Sequence, residues 1–140
     1  MKIAVVTGAN GQLGRSFINT LAKNGIYSYA LDLDTTGIEE TENVRPVELD
    51  VTDESAVEEF YLELGRIDIL INNAGIGVFT PFEQRTADEF RRVMDVNLLG
   101  PFLMSKGAVK LMKEQRKGKI VHIGSIYGQV SSDERIYGDS

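Results

Sequence analysis

The sequence holds no cysteine and no tryptophan, and it has a single histidine and three prolines in 140 residues. Without cysteine there is no disulfide framework, no thiolate metal site and no cysteine nucleophile, which is compatible with a reducing compartment. No apolar run approaches the roughly 18 residues of a membrane-spanning helix. No charged leader precedes an apolar signal region, because Lys2 leads straight into the apolar residues 3–6. The cytoplasm is therefore the expected location. Basic residues are also in deficit, with 15 Lys and Arg against 21 Asp and Glu, a net charge of -6. That balance repels polyanions and argues against nucleic-acid or anionic-membrane partners, while leaving room for a local phosphate site. His122 lies in an apolar run and reads as a packed strand residue. No His, Asp and Glu cluster has metal-ligand spacing, so no metal is expected. The length suits one domain spanning 1–140.

What is present is organised around residues 2–14, KIAVVTGANGQLG. The run Ile3, Ala4, Val5, Val6 predicts a strand buried on both faces of a parallel sheet. Gly8, Gly11 and Gly14 then allow a sharp turn, close approach of a phosphate and packing of a new helix on the strand, with free amides at the helix start facing an anion. A plain glycine-containing strand-to-helix turn is the alternative on motif alone.

Strand and helix patterns alternate from there. Leu13, Phe17, Ile18 and Leu21 recur at helical spacing and stop at Asn24-Gly25. Residues 27–33 read as a second strand with Asp32 and Asp34 at its end, and residues 46–49 as a third. Thr52 or Asp53 could cap a helix bearing Val57, Phe60, Tyr61 and Leu64, which Gly65 ends. Residues 67–71 predict a fourth strand running into Asn72-Asn73-Ala74-Gly75. Thr86 and Glu89 have capping-box spacing ahead of Phe90, Val93 and Met94. A helical pattern with Phe102, Val109 and Met112 continues to about residue 116, and residues 120–123 make a fifth strand ending at Gly124-Ser125. The expected fold is α/β: a doubly wound parallel sheet with helices on both faces. Ligands of such sheets bind at the carboxyl ends of the strands, where Gly8 to Gly14, Asp32, Asp50, Asn72 to Gly75 and Ser125 all fall.

Asp32 stands 24 residues after Gly8, where a carboxylate can accept hydrogen bonds from adenosine ribose hydroxyls and would repel a 2′-phosphate. A solvated strand end is the competing reading. Neither Gly11 nor Leu33 supplies a positive charge for a 2′-phosphate, so NAD is favoured over NADP. Asp50 could orient an adenine or serve as a helix cap.

Together these residues resemble the short-chain dehydrogenase/reductases over essentially the whole chain. Thr7-Gly8 with Gly14 resembles that family's cofactor turn, Asp50-Val51 its adenine contact, Asn72-Asn73-Ala74-Gly75 its post-strand motif, Asn97 its tetrad asparagine and Ser125 its catalytic serine. The resemblance implies a Rossmann-like three-layer fold with strand order 3-2-1-4-5, incomplete at its C-terminal edge. It also implies cofactor binding by Gly8, Asn10, Gly11, Gln12, Leu13, Gly14, Asp32, Asp50, Val51, Asn73, Ala74 and Gly75, with Asn97 and Ser125 catalytic. The implied activity is hydride transfer between a nicotinamide cofactor and an alcohol or carbonyl substrate, in a homo-oligomer. Asn97 would interrupt its helix locally and help hold a water of the proton relay; an asparagine at a helix junction is the alternative.

The chain departs from the family in two places. The expected Tyr-x-x-x-Lys is missing: Tyr127 is followed four residues on by Ser131, and Tyr137 has no lysine after it before Ser140. This predicts the N-terminal portion of a longer enzyme, without turnover alone, whose fifth strand is an exposed edge and whose helix face for subunit pairing is uncovered. Gly8-x-x-Gly11-x-x-Gly14, with Gln12 where glycine is usual, is closer to the extended branch that often acts on nucleotide sugars, whereas Asn72 to Gly75 and Asp95-Val96-Asn97 favour the common branch. A non-catalytic dinucleotide-binding module and a nucleotide-sugar epimerase or dehydratase are the alternative functions.

Overall fold

A computed structural model describes residues 1–125 and Gln129. Tyr127 and Tyr137 lie outside the described residues. Five strands, β1 (Ile3–Thr7), β2 (Tyr27–Asp32), β3 (Val44–Glu48), β4 (Ile69–Asn72) and β5 (Lys119–His122), form one sheet of order β3-β2-β1-β4-β5, with every pairing parallel. The register places Val5 opposite Tyr29 and Leu70, so β1 is central and has no solvent edge.

Side chains of β1 alternate between two cores, as strand geometry requires. Val5 joins Leu31, Leu70, Val57, Tyr61, Leu103, Met104 and Met112 on the face covered by α2 (Glu54–Leu64) and α4 (Gly100–Gln115). Val6 joins Ala30, Ile71 and Ile18 on the face covered by α1 (Gln12–Lys23). This double burial explains why residues 3–6 carry an uninterrupted apolar run rather than an alternating one.

Several boundaries differ from those the sequence pattern suggests. β3 begins at Val44, two residues ahead of Pro46, and β2 stops at Asp32. β3 is an edge strand, so Pro46 and the exposed Arg45 are tolerated there. β4 begins at Ile69 because the Ile67 amide and carbonyl are met by the Gln115 side chain at 3.0 and 2.7 Å instead of a strand. Asp53, rather than Thr52, caps α2 by accepting from the Ala56 amide at 3.1 Å. The Thr86–Glu89 capping box opens α3 (Ala87–Met94), with Thr86 N–H donating to Glu89 Oε2 at 2.8 Å and Glu89 N–H to Thr86 Oγ1 at 3.2 Å.

No break separates α3 from α4. A π-type turn, Asp95–Leu99, joins them. The buried face of α4 consists of Leu103, Met104, Ala108 and Met112, while Phe102 and Val109 are exposed. Phe90 and Leu98 are exposed as well, and β5 lies at the sheet edge with Val121 and Ile123 partly open. His122 is exposed too, which corrects the expectation of a packed strand residue: an edge strand has a neighbour on one side only. Among the described residues no helix is long and apolar enough to cross a membrane.

Candidate functional site

The glycines after β1 have three separate duties. Gly8 sits at φ +62°, and a Cβ there would lie 2.8 Å from the Ala74 Cα, so this residue both turns the chain and lets the end of β4 approach. At Gly14 a Cβ would fall 2.1 Å from the Gly8 carbonyl oxygen, so only glycine fits beneath the turn. Gly11 is exposed and meets nothing closer than that same oxygen at 3.4 Å, leaving its outer side open. Gln12, Leu13 and Gly14 are the first helical positions of α1, whose amides have no intrahelical acceptor; no side chain caps them and no acidic residue occupies the first turn. The positive end of the helix therefore faces outward uncompensated, as an anion site requires.

Thr7, at the end of β1, ties this turn to β4. Its hydroxyl oxygen accepts from both the Asn73 and the Ala74 amides at 3.0 Å, and Asn73 Nδ2 donates to the Gly8 carbonyl at 3.1 Å. The sequence pattern assigned no role to the Thr7 hydroxyl. The available signal was a buried hydroxyl ending an apolar strand, since a polar group 1% exposed needs a partner.

Two clefts open at the carboxyl ends of the strands, sharing Ala74 and Gly75 as a common wall. The smaller, about 140 Å³, is lined by Gly8, Asp32, Asp50, Val51, Leu33 and Val96, among others. Asp32 accepts the Asn10 amide on Oδ2 at 3.0 Å and the Asp34 amide on Oδ1 at 3.2 Å. Each carboxylate oxygen has two lone pairs, so acceptor capacity remains. Asp50 Oδ1 takes the Thr52 amide and hydroxyl at 2.9 and 2.7 Å; it closes a turn and is not a helix cap. Leu33 and Val96 supply apolar walls, a part the sequence pattern did not give them.

The larger cleft, about 770 Å³, is lined by Leu13, Asn73, Asn97, Ser105, His122 and Ser125, among others. Asn97 lies in the π-type turn, and its amide group clasps one backbone unit: Oδ1 accepts from Ile76 N–H at 2.8 Å and Nδ2 donates to Ile76 O at 2.9 Å. The wider turn brings the side chain across to the loop after β4, the local irregularity anticipated for this position. Beneath it, Asn72 Nδ2 donates to Ser105 Oγ at 3.1 Å and lies 3.3 Å from His122 Nδ1. Of the predicted residues, Gly8, Asp32, Asp50 and Val51 thus gather at the small cleft, Leu13, Asn73, Asn97 and Ser125 at the large one, and Ala74 and Gly75 at both. The Asn10 side chain belongs to neither: it donates to the Asp34 and Thr36 carbonyls at 2.8 and 3.2 Å. Gly11, the N-cap of α1, and Gln12 and Gly14 in its first turn line neither cleft. Among the described residues no three His, Cys, Asp or Glu side chains converge as a metal site.

The site fits an extended anionic ligand with two arms. It has a glycine cradle and helix N-terminus at the centre, an apolar slot with two carboxylates on one side, and a larger, mainly apolar cleft bearing Asn97 and Ser125 on the other.

Comparison with known proteins agrees with this architecture. The sequence model of the short chain dehydrogenase family matches residues 2–138. The 3-oxoacyl-(acyl-carrier-protein) reductase FabG of Escherichia coli is 33% identical over 140 residues, covering 94% of this chain and 57% of that protein. The 3-ketodihydrosphingosine reductase of Bacteroides thetaiotaomicron is 35% identical over 134 residues, 91% of this chain and 48% of that protein. A short chain dehydrogenase of Leptospira borgpetersenii, solved with bound NAD+, superposes with a TM-score of 0.92 at 38% identity, over 96% of this chain and 56% of that one. NAD+-bound xylitol dehydrogenase superposes with a TM-score of 0.84 at 33% identity, over 94% and 55%. The chain spans about half the length of the curated relatives it matches.

Proposed function

Because this chain belongs to the short chain dehydrogenase family, we propose that it is the cofactor-binding portion of an NAD-dependent oxidoreductase acting on an alcohol or carbonyl substrate. The observation that carries the reading is the pair of clefts meeting at Ala74 and Gly75, one bearing Asp32 and Asp50 and the other Asn97 and Ser125. The open amides of α1 hold the pyrophosphate. Asp32 accepts from the adenosine ribose hydroxyls, and a 2′-phosphate beside it meets a like charge; this supports NAD over NADP. Asp50, Leu33 and Val96 line the slot that would take the adenine.

When bound, the nicotinamide supplies the hydride donor or acceptor. Ser125 donates its hydroxyl proton in a hydrogen bond to the substrate oxygen. Asn97, with its side chain committed to Ile76, keeps the π-type turn wide and helps hold a relay water. The proton donor itself, a tyrosine acidified by a lysine, belongs to a continuation of the chain in a longer cytoplasmic, homo-oligomeric enzyme.

The test is to offer the 140-residue chain NADH with a broad carbonyl panel. We expect binding without turnover; a reduction rate abolished by Ser125→Ala would contradict the assignment of the proton donor to a continuation. Failure to bind any dinucleotide would contradict the function itself.

A further inference from the structure

Arg15, in the first turn of α1, lines neither cleft and was not anticipated as functional, yet its guanidinium makes three hydrogen bonds beside the glycine turn. Its Nε donates to the Asn10 carbonyl at 3.0 Å, Nη1 to the Gly37 carbonyl at 2.9 Å, and Nη2 to Asn10 Oδ1. Gly37 is shaped for this visitor: its φ is +89°, and a Cβ there would lie 2.9 Å from Nη2. Asn10 continues the chain of contacts. Its Nδ2 holds the Asp34 and Thr36 carbonyls, and its backbone N–H holds Asp32 Oδ2 at 3.0 Å. The loop is stiffened from within, because Asp34 Oδ1 accepts from the Thr36 amide at 2.9 Å and hydroxyl at 2.6 Å, bonds that keep the Asp34 carboxyl below its ordinary pKa and hence charged.

We infer that Arg15 is a positioning residue for Asp32 and, through the Arg15–Asn10–Gly37 clamp, a determinant of the preference for a dinucleotide with a free ribose 2′-hydroxyl. The inference rests on the cofactor reading above. Two bonds orient the Asp32 carboxylate, from the Asn10 and Asp34 amides, and the clamp holds both donors: Asn10 directly and Asp34 through its carbonyl. It also pins a second carboxylate, Asp34, two residues from the first. A planar fork with five donors can span these three acceptors, whereas an ammonium cannot. Releasing the clamp frees the loop, loosens Asp32 and relaxes the barrier to a 2′-phosphate.

Charge alone predicts the reverse, and this makes the test decisive. Removing a nearby cation should penalise the more negative NADP. Losing the clamp should instead penalise NAD, whose ribose hydroxyls need an oriented carboxylate. Calorimetric titration of the wild-type chain, Arg15→Ala and Arg15→Lys with NAD+ and NADP+ reads the ratio of the two affinities. We expect about a tenfold loss for NAD+, the consequence of losing roughly one charge-assisted hydrogen bond's worth of orientation, with a much smaller change for NADP+. Arg15→Lys should resemble Arg15→Ala. Equal losses for both ligands would make Arg15 merely structural and overturn the inference, as would recovery of the wild-type ratio by lysine. If Arg15→Ala does not fold, Gly37→Ala disturbs the clamp from the exposed loop and should contract the ratio in the same direction; an unchanged ratio there overturns the inference. A wild-type chain that prefers NADP+ or binds neither ligand refutes the cofactor reading, an outcome separate from unchanged discrimination in the variants.

Discussion

Replacing Thr7 by valine changes almost nothing but the hydroxyl group. Thr7 is 1% exposed, and its oxygen is the acceptor for two amides, those of Asn73 and Ala74, both at 3.0 Å. Valine puts a methyl where that oxygen was and leaves two donors without a partner. An unsatisfied buried group costs about 1–3 kcal/mol; both amides are half-buried, so the lower part of that range applies to each, for a total of about 3 kcal/mol. Thr7→Ser is the control, since it keeps the acceptor and loses one methyl, about 1 kcal/mol. In urea unfolding, with a slope of about 2 kcal/mol/M, the valine variant should lose about 1.5 M in midpoint and the serine variant about 0.5 M. Because the anchored Asn73 to Gly75 segment walls both clefts, Thr7→Val should also weaken NAD+ binding more than Thr7→Ser does. A serine variant as destabilised as the valine variant would refute the reasoning, because shape rather than the hydroxyl would then be what matters at this position.

Two other perturbations follow from the same contacts. Burial raises the pKa of Asp68, but the Ile3 amide at 2.9 Å, the Arg66 guanidinium at 3.1 Å and the charge of Lys117 outweigh it and leave the carboxyl below its ordinary value. A depressed folded pKa means that the ionised form stabilises the fold. Its contribution is complete above the unfolded-chain value, near ~4, and is lost as pH falls through the lower folded value. Urea midpoints followed below about pH 5 should therefore fall less steeply for Asp68→Asn than for wild type, and equal slopes would contradict the assignment. Gln115→Ala leaves the Ile67 amide and carbonyl without their side-chain partner and should cost about 2 kcal/mol in urea unfolding; a loss no larger than that of an exposed surface substitution would show that water replaces the side chain.

Much of the fold was legible because its signals are local or periodic. The apolar run of residues 3–6 identified a strand buried on both faces, the Thr86–Glu89 spacing identified a helix start, and alternation implied the parallel sheet. The apolar residues of the last helix were read less well. Phe102 and Val109 satisfy the period but point away from the core, and the small residue Ala108 takes the buried position; hydrophobicity alone does not say which side of a helix faces the sheet. The edge strand β3 was read two residues short, since Pro46 and Arg45 are tolerated where one flank is open. At the site, glycines and carboxylates at strand ends could be found from type and spacing. The Thr7 anchor and the Arg15 clamp could not, because each is a side chain meeting backbone groups some twenty to seventy residues away, or across a turn, and leaves no periodic trace.

The most direct measurement is calorimetric titration of the chain with NAD+, NADP+ and ADP-ribose, repeated on Asp32→Ala. The account predicts saturable binding of NAD+ and ADP-ribose, weaker binding of NADP+, and a loss of about tenfold or more in NAD+ affinity on removing the carboxylate that accepts the ribose hydroxyls. Tighter binding of NADP+ than of NAD+, together with an Asp32→Ala variant that binds NAD+ as well as wild type does, would contradict it.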